Sequence, residues 1–578
     1  MDRFPIARRL GGAIAGLAMA GQALPAQAQS LPYGNTASGD DTVAAPGGGS
    51  GQAPRGRGTG PRRQVTVSPY IEAAQVVGAQ LSPDQEVLTW TALAAGVDAG
   101  LAGRNTQGSL SIRYERRIGW GRAGSGDVLS GLARASVAVV PQALAIEVGG
   151  LAARSTVDGR SPAVPGGFTG ADSAQLYSVY AGPSLRTQAG AVALTGSYRV
   201  GYTEVGTSDT LRTATSTANL DTFDHSITHN AAVRAGVRPG DVLPIGVGVG
   251  AGYLREDVSN LDQRVEDFHA RSDVIVPVSS AVALVGGVGF EDVQISGRDA
   301  LRDASGAPVR GPDGRLVTDR AAPRQIAYQT KGFIWDAGIT WRPSSRTAFE
   351  AHVGRRYGSM TYYGSFGWRA SSRSSLSVAV YDSMTGLGGQ INRALVELPT
   401  EFTALRDPTT GNLNGCVSPT GNPTLAPSGS NCLTSAFGSL RSAVFRSRGV
   451  QATYATQLGR LGAGLAGGYD RRRYVAAPGT LLASINGIVD ENTWLSAWLS
   501  GRLDERSSFS TFVYANWFSN GALSGGQGTA LGANALFSRE FGNRISGNAS
   551  FGIQGLRRDL TEDEWQASAL LGLRYSFF

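Results

Sequence analysis

The residues at the end of the chain, 565–578, alternate between apolar and polar side chains, and this alternation limits the fold more than any other feature. Leu571, Leu573 and Phe577 fall on one face, with Ser568 and Arg574 on the other. Period-two alternation indicates a β-strand. No polar tail follows, so the chain is expected to end within its own sheet, as in a transmembrane β-barrel, where closure leaves no unpaired edge. The alternative is the last strand of a soluble β-sandwich.

Composition favours one large barrel domain. The chain has 578 residues, 80 of them Gly, with 17% charged residues and a mean hydropathy of −0.10. A helical membrane protein would show runs of about 20 apolar residues, and none occurs after the N-terminus. A barrel carries its membrane signal as alternation, so its mean hydropathy stays near zero.

The net charge of +7 comes almost entirely from arginine, because Lys331 is the only lysine. No basic cluster is interleaved with aromatic residues on a compact module, so nucleic-acid binding is not expected. The sequence also contains no nucleophile elbow and no paired metal-ligand motif. These features predict neither an enzyme nor a cofactor or metal site.

The N-terminal region predicts export. Residues 1–28 read as a signal peptide, with basic residues at Arg3, Arg8 and Arg9, a short apolar stretch, and a cleavage pattern that ends at Ala28. Residues 29–64 are rich in Gly and Pro and predict a flexible periplasmic tail. This tail is too short to form the folded plug of a TonB-dependent transporter. We therefore expect the barrel, 65–578, to have no plug domain.

Residues 65–578 divide into about 22 alternating segments, with a range of 18–24. Short turns occur at every second connection, and the intervening connections include the long links 155–173, 205–224, 297–331, 387–440 and 475–487. Outer-membrane barrels have short periplasmic turns and longer extracellular loops. The rhythm predicts an all-β, transmembrane, antiparallel up-and-down barrel with both termini in the periplasm. The predicted strands are 65–79, 87–102, 106–119, 130–140, 143–154, 174–185, 190–204, 225–238, 243–256, 261–276, 281–296, 332–342, 346–357, 359–370, 374–386, 441–456, 460–474, 488–503, 506–517, 528–541, 544–557 and 563–578.

Charged residues at inward positions of these strands are the candidate functional residues. A net basic lining would favour anionic solutes and could track carboxylated sugars. The alternative is a self-neutralising network that only stabilises the barrel. The predicted pore-lining residues are Arg113, Glu115, Arg234, Asp336, Arg342, Glu350, Arg356, Arg369 and Arg574.

The two cysteines, Cys416 and Cys432, both lie in the longest link, 387–440. Export through an oxidising periplasm favours a disulfide between them. No histidine lies near them in the sequence, which argues against a metal-binding or catalytic role.

The C-terminal spacing of Gly572, Tyr575 and Phe577 resembles the assembly signal of bacterial outer-membrane barrels. It departs from that signal by one extra residue, Phe578, and by Leu570 at a position that is often polar. The resemblance implies that the barrel-assembly machinery recognises this strand.

Four segments resemble a family of proteobacterial outer-membrane β-barrel porins: 66–77 (TVSPYIEAAQVV), 88–98 (LTWTALAAGVD), 111–120 (SIRYERRIGW) and 132–136 (LARAS). The likeness covers the barrel and is sharpest over the first five strands. It implies an outer-membrane location in contact with lipid and lipopolysaccharide. Some members are associated with exopolysaccharide export, and no active-site residues carry over.

The sequence thus favours a passive conduit that exports an anionic exopolysaccharide, handed over by a periplasmic export protein. The first alternative is a general porin for small solutes. The second is a structural or adhesive surface barrel that acts through its loops, especially 387–440. An inward fold of 297–331 and 387–440 would plug the lumen and favour this second alternative.

Overall fold

The computed structural model describes residues 64–83, 85–156, 173–206, 223–407, 409–419, 432–433, 436, 441–521, 526–559 and 562–577. The expected signal peptide, 1–28, lies outside this range, as do Phe578 and all of the expected tail except Gln64. Gln64 is the first residue of the first strand.

Twenty-two long strands form one antiparallel sheet, and two short strands form a separate hairpin. The number and order agree with the sequence, and the largest boundary difference is the earlier start of β12. The strands are β1 (Gln64–Ser82), β2 (Glu86–Ala102), β3 (Thr106–Trp120), β4 (Gly126–Val140), β5 (Leu144–Thr156), β6 (Ser173–Ala189), β7 (Val192–Gly206), β8 (His225–Val237), β9 (Gly246–Val258), β10 (Gln263–Pro277), β11 (Val282–Gly297), β12 (Gln325–Ser344), β13 (Thr347–Arg356), β14 (Ser359–Ser371), β15 (Ser374–Thr385), the hairpin strands β16 (Phe402–Arg406) and β17 (Leu413–Pro419), then β18 (Phe445–Leu458), β19 (Leu461–Tyr474), β20 (Val489–Arg502), β21 (Ser507–Asn520), β22 (Gln527–Glu540), β23 (Ile545–Arg558) and β24 (Glu564–Ser576).

Pairing of the last long strand with the first closes the sheet into a barrel. β24 pairs with β23 on one side and with β1 on the other, where Ala74 lies opposite Gly572. Closure satisfies the backbone groups that an edge strand would leave unpaired, which is what lipid requires. The expected antiparallel up-and-down barrel is confirmed.

The outer surface of the barrel is apolar. Leu571 is 72% exposed and Phe333 is 64% exposed, whereas Asp336, on the opposite face of its strand, is only 6% exposed. Strand β10, in which charged residues interrupt the alternation, follows the same rule, with Phe268 exposed and Asp267 buried. A closed barrel with an apolar exterior and a polar interior is the architecture of outer-membrane proteins. The chain is therefore an outer-membrane β-barrel.

Successive connections alternate between the two ends of the barrel because neighbouring strands are antiparallel. The long-link end carries the connections 157–172, 207–224, 298–324, 386–444 and 475–488, while the longest connection at the short-turn end is 238–245. β1 begins and β24 ends at the short-turn end.

Several connections pack together at the long-link end of the barrel. Short 3₁₀ turns at Asn260–Asp262 and Leu481–Ile485 bring Leu261 and Leu482 into a buried cluster with Leu316. The Arg315 guanidinium donates to the backbone oxygens of Val205 (2.6 Å) and Phe223 (3.2 Å). Links that start from distant strands are thereby tied into one layer.

The connection 386–444, here called the luminal insert, folds into the barrel. It contains the helix α1 (Leu387–Glu397) and the hairpin β16–β17. Leu387, Ile391 and Leu395 form a buried stripe at helical spacing, and this stripe explains a helix that the sequence analysis missed. No helix in the described part of the chain is long and apolar enough to cross a membrane.

Candidate functional site in the lumen

The inner wall of the barrel carries a layer of paired charges. On β3, the Arg113 guanidinium bonds to Glu72 (3.0 Å) and Glu115 (2.8 Å), and Glu115 also accepts from Arg117 (2.7 Å). All four side chains are at most 10% exposed. Buried charges need such partners, since an unpaired buried charge is costly.

A second group lies on β10, β11 and β13. Arg356 bonds to Asp267 (2.6 Å) and lies 3.4 Å from Glu291. The Tyr357 hydroxyl donates to the same Asp267 carboxylate (3.0 Å). One arginine thus bridges two acidic residues on neighbouring strands.

A third group centres on His352 of β13. Its imidazole lies 3.0 Å from both Asp336 and Glu350 and stacks on Tyr363 with 4.7 Å between ring centroids. Arg271 bonds to Asp336 through two nitrogens, each at 2.7 Å. The group joins β10, β12, β13 and β14 across the wall.

The predicted pore-lining residues are distributed over separate groups rather than one continuous track. Asp336 and Glu350 meet through His352, and Arg234 pairs with Asp273 (2.6 Å). Arg574 lies 3.3 Å from Asp98 and over the ring of Tyr70. Arg369 donates to the Ser345 backbone oxygen (3.1 Å) near the short-turn end, where the Arg342 backbone N–H also bonds to the Ala281 backbone oxygen. Arg113, Arg234, Arg356 and Arg574 each lie against a carboxylate, and the net charge of the lining stays a prediction.

The sequence analysis missed the partners of these residues. Asp267, Arg271 and Asp273 all occupy inward positions of β10, where charge obscured the alternation. Their partners lie two or three strands away, on β8, β12 and β13, so strand adjacency alone would not have found them.

The start of the luminal insert is held by one wall carboxylate, Glu256 of β9. It accepts hydrogen bonds from the backbone N–H groups of Gly386 (2.7 Å) and Gly389 (3.0 Å) and from the Thr385 hydroxyl (2.8 Å). The first turn of a helix has unpaired N–H groups and a partial positive charge. A buried carboxylate on the wall satisfies both.

The polar side of α1 bonds to three neighbouring wall strands. The Asn392 amide bonds to Ser178 (3.2 Å), Thr228 (3.1 Å) and Thr203 (3.4 Å). A cavity of about 60 Å³ remains between α1 and β6–β9, and Arg199 and Glu397 help to line it. Burial there raises the pKa of the Glu397 carboxyl to about 7, against the opposing effect of nearby arginines.

The hairpin of the insert contacts two distant parts of the wall. Arg406 bonds to Ser111 of β3 (3.1 Å) and to Ser130 of β4. Asp407 accepts from Asn534 of β22 (3.0 Å). Burial raises the pKa of Asp407, although nearby N–H donors oppose the shift.

The expected disulfide between Cys416 and Cys432 is present. It packs inside the barrel against Trp494, Trp498 and Phe512. The insert therefore touches β3–β9 on one side and β19–β22 on the other, so the lumen is not the empty passage that an unplugged conduit implies.

The C-terminal residues of the expected assembly signal lie on the closing strand. The ring of Tyr575 meets that of Phe577 edge-on at 5.2 Å between centroids, and Gly572 packs against Ala74 of β1. Their recognition by the assembly machinery stays a prediction. Among the described residues, no group of three or more His, Cys, Asp and Glu side chains is placed to hold a metal ion.

No protein-family model matches the chain, and no curated protein matches it. The apoprotein form of the FrpB iron transporter from Neisseria meningitidis is 9% identical; the match covers 88% of this chain and 81% of that chain, with a TM-score of 0.40. The closed form of the ferric-catecholate import receptor Fiu from E. coli K12 is 10% identical, with coverages of 88% and 81% and a TM-score of 0.42. The siderophore receptor PiuA from Acinetobacter baumannii is 8% identical, with coverages of 88% and 82% and a TM-score of 0.38. Likenesses this distant say nothing about cargo, and the resemblance to porins linked to exopolysaccharide export finds no support among them.

Proposed function

We propose that the protein is an outer-membrane conduit whose passage the luminal insert closes, and that cargo crosses when the insert is displaced. The observation that carries this proposal is the contact of one insert with Ser111 on β3 and with Asn534 on β22. Barrels of 16–18 strands already leave an aqueous channel, and 22-stranded outer-membrane transporters have a plugged lumen. A barrel of this width with an occupied lumen fits the second pattern.

The contacts that hold the insert are of two kinds. Neutral hydrogen bonds, such as those of Asn392, contribute about 1 kcal/mol each, and those to charged groups, such as Glu256 and Arg406, contribute about 1.5–3 kcal/mol each. The insert is tethered only at the ends of β15 and β18, and the ladder between these two strands is complete from Thr385 to Ser374. The insert can therefore leave its site without breaking the barrel wall.

The cargo that we propose is an exported polysaccharide delivered from the periplasmic side. The paired wall does not support selection by net charge, because Arg113, Arg234 and Arg356 each already bind a carboxylate. The cargo is therefore better described as a polar polymer than as a necessarily anionic one. Both termini, at the short-turn end, would face the periplasm and its export partner.

A surface scaffold or adhesin is the second candidate. It is favoured by the long-link end, where Leu261, Leu316 and Leu482 come from three different links and share one core. Such a layer gives the barrel a folded exterior surface, which small-solute diffusion does not need.

Single-channel conductance in planar bilayers tests the proposal. Three refolded proteins are compared: the mature chain, a variant with residues 387–443 replaced by a short Gly-Ser linker, and a control with the turn 238–245 replaced in the same way. We expect low conductance from the mature chain and the control, and large, steady conductance from the insert variant. Equal, large conductance from all three would indicate a general porin. No conductance from the insert variant would leave only the scaffold.

A further inference from the structure

The inner faces of β20 and β21 form a regular arrangement of aromatic and uncharged polar side chains. In three of four consecutive rows across the middle of this strand pair, one aromatic residue lies opposite one polar residue, and the fourth row is aromatic on both strands. None of these side chains is charged at neutral pH. The rows are Asn492 with Phe518, Trp494 with Asn516, Ser496 with Tyr514, and Trp498 with Phe512.

The two indoles lie flat against the wall because the neighbouring strand β19 has glycine opposite each. Gly464 is opposite Trp498 and Gly468 is opposite Trp494. A Cβ added at Gly464 would come within 1.9 Å of the Trp498 ring, and one at Gly468 within 2.8 Å of the Trp494 ring nitrogen. Each ring therefore covers its glycine instead of projecting along the strand.

Strand β22, on the other side, repeats the arrangement. A Cβ at Gly532 would lie 2.2 Å from the Tyr514 ring, and one at Gly528 would lie 2.7 Å from the Phe518 ring. Four aromatic rings on two strands thus pack against four glycines on the flanking strands. We call the eight residues of the four rows the aromatic platform.

The described residues of the insert pack on this platform without bonding to the five polar atoms named below. Cys416, Cys432 and Leu405 pack onto its rings. Beneath them are five buried polar atoms that bond to nothing in the described part of the chain: Asn492 Oδ1 and Nδ2, Trp494 Nε1, Ser496 Oγ and Asn516 Oδ1. Unpaired buried donors and acceptors cost free energy. A surface built only to hold the insert would be apolar or would bond to it, as Ser111 and Thr228 do elsewhere on the wall.

We infer that the aromatic platform is a binding site for uncharged saccharide rings, and that the Cys416–Cys432 disulfide and Leu405 of the insert are its cover. The face of an aromatic ring is negative, so it attracts the weakly positive C–H groups on the face of a pyranose. The amides, the hydroxyl and the indole N–H then form hydrogen bonds with sugar hydroxyls. Small-molecule sites likewise combine aromatic side chains with a small number of polar groups. The inference rests on the proposed function and names the chemistry that the open conduit recognises.

Calorimetric titration tests this site, using maltohexaose and cellohexaose as probes and a detergent without a sugar headgroup. The insert-shortened barrel should bind at least one of the two, with affinity at least about tenfold above that of the full chain, whose platform is covered. Trp494→Ala with Trp498→Ala in the shortened barrel should lower the affinity at least about tenfold, and the matching Phe variants should restore most of it because they keep a ring face.

Trp90→Ala in the same background is the matched control, because Trp90 is a buried lumen-facing indole outside the platform. Its binding should be unchanged. Heat-dependent gel mobility shows whether each variant is a folded barrel. Failure of the folded shortened barrel to bind either probe, or binding that survives loss of both platform indoles, would overturn the site. A shortened barrel that conducts but does not bind overturns only the site, and one that binds but does not conduct overturns only the conduit.

Discussion

The carboxylate of Glu256 in the barrel wall accepts a 2.7 Å hydrogen bond from the backbone N–H of Gly386, the residue that starts the luminal insert. Gly386 is the N-cap of α1 and has no side chain with which to cap it. The cap is supplied instead by a strand that precedes the helix by about 130 residues. Docking and helix formation are therefore coupled at this point.

Glu256→Gln should loosen the insert. The amide keeps the shape but loses the negative charge and directs an N–H₂ group at other donors, so we expect a cost of about 1.5–3 kcal/mol, as for hydrogen bonds to charged groups. Hydrogen exchange of the α1 amides should accelerate and conductance should rise. Glu491→Gln removes an exposed ion pair with Arg471 and should change neither. Unchanged exchange in α1 would show that Glu256 does not hold the insert.

Docking of the insert should weaken as pH rises. The pKa of Glu397 is about 7, above its ordinary value of 4.5, because of burial between α1 and the wall; Arg393 and Arg134 lower it in part. The docked state keeps a proton that the free insert releases, so docking is strongest below pH 4.5 and is lost progressively as pH rises through 7. Exchange in α1, corrected for intrinsic rates, should be faster at pH 8 than at pH 5.5.

Glu397→Gln should remove most of this pH dependence. The remainder is assigned to Asp407, whose pKa is also raised by burial, and Asp407→Asn should remove it. A profile that is flat in the unmodified protein would contradict the assignment.

Replacing Cys416 and Cys432 by serine should free the central part of the insert. The crosslink spans a sequence separation of 16, for which the chain-entropy estimate is about 3 kcal/mol. We expect protease cleavage within the insert at concentrations that leave the barrel intact. The same cleavage should appear in the unmodified protein after reduction, and equal resistance before and after reduction would contradict the prediction.

Arg271→Ala should destabilise the barrel wall by about 3–5 kcal/mol, because it leaves the buried Asp336 carboxylate without its arginine partner. The denaturant midpoint of refolding into lipid vesicles measures the loss. Lys331→Ala is the matched control, since its pair with Asp292 is exposed on the barrel surface and should contribute about 0–1 kcal/mol. Equal effects would mean that the buried network is not structural.

Gly464→Ala should displace the Trp498 ring, with an expected cost of about 1–3 kcal/mol from overpacking. Gly286→Ala places the same methyl group where no atom of the described structure lies within 4 Å. The denaturant midpoint should fall only for Gly464→Ala. A similar midpoint for both variants would show that the Trp498 ring does not need a glycine opposite it.

The barrel could be predicted because its signal is local. Alternation assigns each strand and both of its faces, as with Phe333 outward and Asp336 inward. The alternation also indicates the even number of strands, and the segments that it leaves unassigned show short turns at every second connection. The faces of strand β10 were hard to assign only because its inward residues, such as Asp267 and Arg271, are charged and have their partners on other strands.

The contents of the lumen could not be predicted in the same way. The cap of α1 comes from Glu256, the anchors of Arg406 are Ser111 and Ser130, and none of these is close to the insert in sequence. The partners of the charged lining residues could not be predicted for the same reason, because pairing depends on how the strands are arranged around the barrel. A disulfide could be expected from two cysteines, but its position on Trp494 could not.

The reach of the insert also bears on how the barrel is completed. Ser111 lies on β3 and Asn534 on β22. The shorter stretch of wall between these two strands contains the seam where β24 meets β1. Before that seam closes, no surface exists on which the whole insert can settle. Complete docking of the insert therefore requires a closed barrel, and a barrel with an open seam would leave part of its insert undocked.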